Sequence, residues 1–111
     1  MQIIKLVSAA IALLALGAAA DDKSTLYNDA DYKGNSKKIS PDKCTEIKGD
    51  LKQLGSIKVP RGDVICILYK STDCKRRPLC TLFGNVDDLT DDNNPCLRQV
   101  ANRVKSVECY D

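Results

Sequence analysis

Histidine is absent from this 111-residue chain, as is tryptophan, while phenylalanine and methionine occur once each. Without an imidazole there is no Ser-His or Cys-His arrangement to activate a nucleophile. The cysteines closest in sequence, Cys74 and Cys80, have five residues between them. Zinc sites pair their ligands at shorter spacing and commonly add histidine, so a metal centre is not expected. Strong net charge is also missing, with 17 basic against 15 acidic residues. No global field steers the chain to nucleic acid or anionic lipid. Tyr27, Tyr32, Tyr69 and Tyr110 are not interleaved with a basic stripe, which removes the stacking-plus-phosphate pattern of single-strand binders. The acidic residues stand in polar runs, without the apolar setting that raises one carboxyl pKa for acid–base work. A non-enzymatic protein without a cofactor is expected.

One apolar run is present, at the N-terminus. Residues 1–20 carry Lys5 as their only charge, a run from Leu6 to Leu16, and small Ala18 and Ala20 before acidic Asp21. This is the pattern of a secretory signal, and its apolar core is shorter than the roughly 20 residues of a membrane span. Residues 21–111 are then one small exported domain, expected as a monomer. All six cysteines (Cys44, Cys66, Cys74, Cys80, Cys96 and Cys109) lie in it, which predicts three disulfides. Six cysteines allow about 15 pairings, so the sequence does not choose among them. Cys74 with Cys80 would close a hairpin-sized loop, Cys66 with Cys109 requires neighbouring strands, and Cys44 with Cys96 is left over.

Short apolar runs at 24–27, 37–39, 56–59, 64–69, 79–83 and 104–110 alternate with turn residues such as Gly34-Asn35, Gly62, Gly84-Asn85 and Asn94-Pro95. This spacing predicts an all-β domain. The run at 64–68 is apolar on both faces, as in a central strand covered on each side, whereas 56–59 and 104–109 alternate and bury one face. Two stacked sheets result. Residues 45–53 and 96–103 each have room for a helical turn or two, with a helix start between Asp92 and Pro95.

The chain also repeats itself. Tyr27 is matched by Tyr69 and Ser56 by Ser106, at offsets of 42 and 50 residues. Such self-similarity marks a duplicated supersecondary unit. The first copy has Tyr27, then Tyr32, then Gly34, a pattern for a hairpin folded over its sheet, with glycine at positive φ under an aromatic cover. Ser56 opens the last strand of that copy and is placed to hydrogen-bond the hairpin.

These residues, with Gly62 leading into Tyr69 and the closing Ser106-Val107, resemble a single βγ-crystallin domain. The resemblance implies a two-sheet Greek-key β-sandwich, with one Greek key over about 23–60 and the other over about 63–111. In the second copy Cys74 stands at the aromatic position and Arg76 at the glycine position, so a Cys74–Cys80 bridge would replace the aromatic lid. Calcium-binding members carry paired Asn/Asp two residues before Ser/Thr-Ser. The corresponding stretches here, Leu51 to Ser56 and Ala101 to Ser106, keep only Asn102 of those positions and add Lys52, Arg103 and Lys105. Family-type calcium binding is therefore not expected.

Among other candidates, Asp87-Asp88-Leu89-Thr90-Asp91-Asp92-Asn93-Asn94 offers oxygens but has neither the glycine nor the terminal glutamate of an EF-hand loop. A solvated loop or helix start explains it better. Arg61-Gly62-Asp63 is a cell-adhesion tripeptide, yet a tight turn accounts for the same residues. Lys75-Arg76-Arg77 places three cations on the second hairpin, a candidate contact for an anionic cell surface or an acidic protein. Small exported members with extra cysteines resemble yeast killer toxins. The resemblance thus implies a fungal, toxin-like, antimicrobial or host-directed factor acting on other cells. Alternatives are a proteinase inhibitor presenting the Cys74–Cys80 loop, and a calcium-binding or structural extracellular protein.

Overall fold

A computed structural model describes residues 22–96 and 100–111. The leader-like segment 1–20 lies outside the described residues. Strand β1 (Ser24–Asp29) runs through a tight turn at Ala30–Tyr32 into β2 (Lys33–Ile39), followed by β3 (Thr45–Glu46) and β4 (Ser56–Lys58). The second half supplies β5 (Ile65–Tyr69), β6 (Pro78–Phe83), a turn of 3-10 helix at Val100–Asn102, and β7 (Ser106–Tyr110).

The strands form two antiparallel sheets, ordered β2-β1-β4 and β3-β7-β5-β6. The connectivity explains the sandwich. β3 leaves the sheet of its own copy and pairs with β7 of the other, Thr45 opposite Val107. In return Val86, from the second copy, bridges Ile57 of β4, with each N–H donating to the other's carbonyl. That isolated bridge is what the second copy adds to the three-stranded first sheet. Each half thus completes the other half's sheet, and neither can bury its apolar face alone.

Period-two alternation decides which side chains meet between the sheets. Leu26, Ile39 and Ile57 come from the first sheet, and Cys66, Leu68, Leu82, Val107 and Cys109 from the second. Leu51, Leu54, Leu89, Val100 and Val104 close the core from the connections. On edge strand β2 six of seven residues are exposed, Lys33, Lys37 and Lys38 among them. Charge on an open edge opposes pairing with another chain.

Four expectations need correction. Residues 45–46 are a strand rather than part of a helical turn, because pairing with β7 satisfies their backbone. Residues 92–96 form turns and bends, and the helical content described in the later stretch is the single turn Val100–Asn102. β5 is central in its sheet but covered on one face only: Cys66 and Leu68 are buried, while outward Ile65 and Ile67 are half-exposed beside Phe83, itself 72% exposed.

The cysteine pairing also differs. Cys66–Cys109 forms as expected between directly opposed residues of β5 and β7. The other bridges are Cys44–Cys74 and Cys80–Cys96, not Cys74–Cys80 and Cys44–Cys96. Cys80 lies in β6 opposite Leu68 and packs against the core together with Cys96. Cys74 sits in the folded hairpin, held to Ser106. The two are near in sequence, but Cys74 belongs to the folded hairpin and Cys80 to β6.

Candidate functional site

The two hairpins share one backbone design. Ser56 is fully buried, and its Oγ donates to the Asp29 carbonyl (2.6 Å) and accepts from the Tyr32 N–H (3.0 Å). Ser106, equally buried, donates to the Ser71 carbonyl (2.6 Å) and accepts from the Cys74 N–H (3.0 Å). Each hydroxyl pins a hairpin that has folded out of its sheet, the role expected for Ser56. The torsions match as well: Tyr32 and Cys74 have φ of 60° and 56°, and Gly34 and Arg76 have φ of 81° and 73°. A left-handed conformation that glycine adopts freely is here imposed on an arginine, at a cost of about 1 kcal/mol.

What covers the hairpins differs. The Tyr32 ring packs edge-on against Tyr27 at 5.7 Å between centroids, and Lys58 Nζ lies 5.3 Å above its centre. Burial, then the carboxylates of Asp87 and Asp31, raise the Tyr32 phenol above its ordinary pKa. In the second copy no ring replaces it. Cys74 instead reaches Cys44, in the exposed loop before β3, and the bridge ties the second hairpin to the first half of the chain.

The faces beside the hairpins have diverged further. In the first copy, Asn28 Oδ1 accepts from the N–H groups of Lys52 and Gln53 (3.0 and 3.1 Å), and Asn35 Nδ2 donates to the Asp50 carbonyl (3.0 Å). These bonds stitch the hairpin to the loop before β4. At the 42-residue offset, Asn28, Asp29, Gly34 and Asn35 become Lys70, Ser71, Arg76 and Arg77. Those four second-copy residues line an open depression of about 360 Å³. Two local hydrogen bonds close the tip: Ser71 Oγ donates to the Lys75 carbonyl (2.6 Å), and Asp73 Oδ1 accepts from the Lys75 N–H (3.2 Å). Lys70, Lys75, Arg76 and Arg77 are exposed, and none forms an ion pair among the described residues. Of the expected tip residues, Arg76 and Arg77 line the depression and Lys75 does not. Lys70 and Ser71 were missed, although applying the same offset to Asn28 and Asp29 would have found them.

Because Arg76 holds a glycine conformation, Arg76→Gly is expected to raise stability by about 0.5–1 kcal/mol, read as a higher denaturation midpoint. The equivalent Gly34 shows why a side chain is tolerated at 76. A Cβ on Gly34 would lie 2.6 Å from Asp29 Oδ2, whereas the second-copy equivalent of Asp29 is the smaller Ser71.

The remaining candidates are dispersed. In the acidic loop, Asp88 Oδ1 accepts from the Thr90 hydroxyl and N–H, which lowers the carboxyl pKa, and Asp91 Oδ1 accepts from Asn93 N–H. Asn94 Oδ1 accepts from Cys96 N–H. The oxygens close local turns rather than converge. A second depression, of about 330 Å³, is lined by Gln53, Thr90, Ala101 and Asn102, all neutral. Arg61 pairs with Asp63 (3.4 Å) and Asp111 (2.7 Å), which accounts for the adhesion-like tripeptide as a surface turn. No group of three or more His, Cys, Asp or Glu able to hold a metal occurs among the described residues.

No protein-family model matches the chain, and no curated protein matches it either. Solved structures do. A βγ-crystallin domain from Clostridium beijerinckii is 21% identical, covers 79% of this chain and 97% of its own, and superposes with a TM-score of 0.57. The N-terminal domain of Protein S (20% identity, 78% and 93% coverage, TM-score 0.56) and Hahellin, a beta-gamma crystallin (21%, 82% and 93%, 0.53), are similar in the same way. The chain has the βγ-crystallin fold, stapled by three disulfides.

Proposed function

We propose that the chain is a secreted, non-enzymatic factor acting on other cells by contact, as toxin-like, antimicrobial or host-directed proteins do, and that its second hairpin is the contact surface. The observation that carries this reading is the depression lined by Lys70, Arg76 and Arg77, cations without a carboxylate partner among the described residues. Like charges gathered on a covalently tethered hairpin suit contact with an anionic surface. Three disulfides and a leader-like N-terminus support export, since such bridges persist in oxidising compartments. No helix among the described residues is long and apolar enough to cross a membrane. The inhibitor alternative rested on a loop closed by Cys74 and Cys80, which the structure does not contain.

The test uses the chain processed after Ala20 on yeast and plant cells, scoring surface binding and growth. Replacing Lys75, Arg76 and Arg77 together by serine is expected to abolish contact and leave the melting temperature unchanged. Undiminished activity in that variant would reduce the hairpin to a solvated turn.

A further inference from the structure

We infer that the depression lined by Lys70, Ser71, Arg76 and Arg77 is a binding site for an acidic sugar residue, sulfated or carboxylated, of an extracellular polysaccharide. The inference rests on the second hairpin being the contact surface, and it names what that surface holds.

The comparison between the two halves of the molecule carries it. The same four backbone positions occur twice, in hairpins pinned by equivalent serines and with matching left-handed torsions at 34 and 76. In the first half they bear two amides, a carboxylate and a glycine, and the amides seal the face to the neighbouring loop. In the second half they bear three cations and a hydroxyl, and the face is open. Folding alone is served by either set. Arginine at 76 even holds a left-handed φ of 73°, where the first half uses glycine.

The shape and chemistry select the ligand. A volume of about 360 Å³ is at the small end of ligand pockets and fits one compact residue rather than a flat protein surface. Planar guanidinium groups pair bidentately with sulfate and carboxylate oxygens. No aromatic ring lines the depression, so a nucleobase has nothing to stack on. The walls are mostly the aliphatic stems of these long side chains, against which a sugar ring can lie, and no large hydrophobic side chain is exposed there to anchor in a bilayer. Phe83, the large hydrophobic side chain exposed among the described residues, is at the opposite end of β6 from Pro78, about 17 Å along the strand.

The experiment titrates the processed chain with dextran sulfate and with polygalacturonate, using uncharged dextran as the blank and phosphatidylserine–phosphatidylcholine vesicles as the lipid arm. At least one acidic polysaccharide is expected to bind, with affinity falling as salt is added. Which one binds separates sulfate from carboxylate. The variant K70N/R77N, which restores the first-half asparagines on exposed positions, is expected to weaken binding by about tenfold or more with an unchanged melting curve. Lys37→Ser with Lys38→Ser, on the basic edge of β2, is expected to leave it unchanged. Failure of both polysaccharides to bind, equal losses in the two variants, or tighter binding to vesicles would each overturn the inference. The two readings fail separately. If neither polysaccharide binds while the serine-substituted hairpin still loses cell contact, only the sugar site is wrong. If the polysaccharide binds at the depression but cell contact ignores the hairpin, only the contact reading is.

Discussion

Gly55→Ala is expected to destabilise the domain by about 3 kcal/mol, lowering the melting temperature by about 15 °C. The reason is a close approach between main chains. A Cβ at position 55 would lie 2.5 Å from the Asp29 carbonyl carbon and 2.6 Å from both the Asn28 oxygen and Asp29 Cα. These are backbone atoms, so no rotamer change relieves the overlap. The strands cannot separate cheaply either, because Gly55 N–H donates to Tyr27 (2.8 Å) and its carbonyl accepts from Leu89 N–H (2.7 Å). Asp29 is also the residue whose carbonyl holds Ser56 Oγ, so displacement would spread into the folded hairpin. Gly62→Ala is the control: nothing lies within 4 Å of its Cβ position. Its effect should stay within about 0.5 kcal/mol. Thermal melts of the two variants, compared with the parent, decide the matter, and equal melting would contradict the packing described.

Removing the Cys66–Cys109 bridge by double alanine substitution is expected to cost about 4 kcal/mol, from the entropy of a loop spanning 43 residues. The sulfurs are also core atoms: the residues are 1% and 2% exposed, between Leu68, Leu82 and Val107 in the inner layer. Their loss leaves a void that raises the cost further. Cys80→Ala with Cys96→Ala opens a loop of 16 residues and is expected to cost about 3 kcal/mol by the same loop entropy. Both sulfurs there sit at the margin of the core rather than inside it. Denaturant titration of the two double variants tests the order. A larger loss at Cys80–Cys96 would show that chain entropy and core packing are not the governing terms.

Several parts of this molecule were legible because they rest on local rules. The strands near 24–27, 56–59, 64–69, 79–83 and 104–110 follow from alternation between turn residues, and each appears within a few residues of its expected bounds. The folded first hairpin follows from Gly34 and Tyr32, and the pinning role of Ser56 from its place at the head of β4. β3 was not legible: two residues have too little pattern, and only pairing with β7 makes them a strand. The Cys44–Cys74 bridge was hidden for a related reason. Asp42 N–H donates to the Cys109 carbonyl (2.8 Å), which draws the 40–44 loop toward the end of β7. Nothing near Cys44 in sequence announces that contact.

Composition, repeat and turn chemistry therefore determined by themselves that the chain is a doubled all-β unit with six cysteines to pair, no imidazole for catalysis, and three consecutive cations on its second hairpin. Those are properties of residue type and spacing, and they hold before any segment meets another. Tertiary structure alone decided which cysteines meet, which strands exchange between the sheets, and that the face bearing Lys70, Ser71, Arg76 and Arg77 stays open. Each of these depends on how segments far apart in sequence pack and on the loops that do or do not seal a surface. A hairpin sequence can state its charge, but only its neighbours determine whether that charge lines a depression or is closed over.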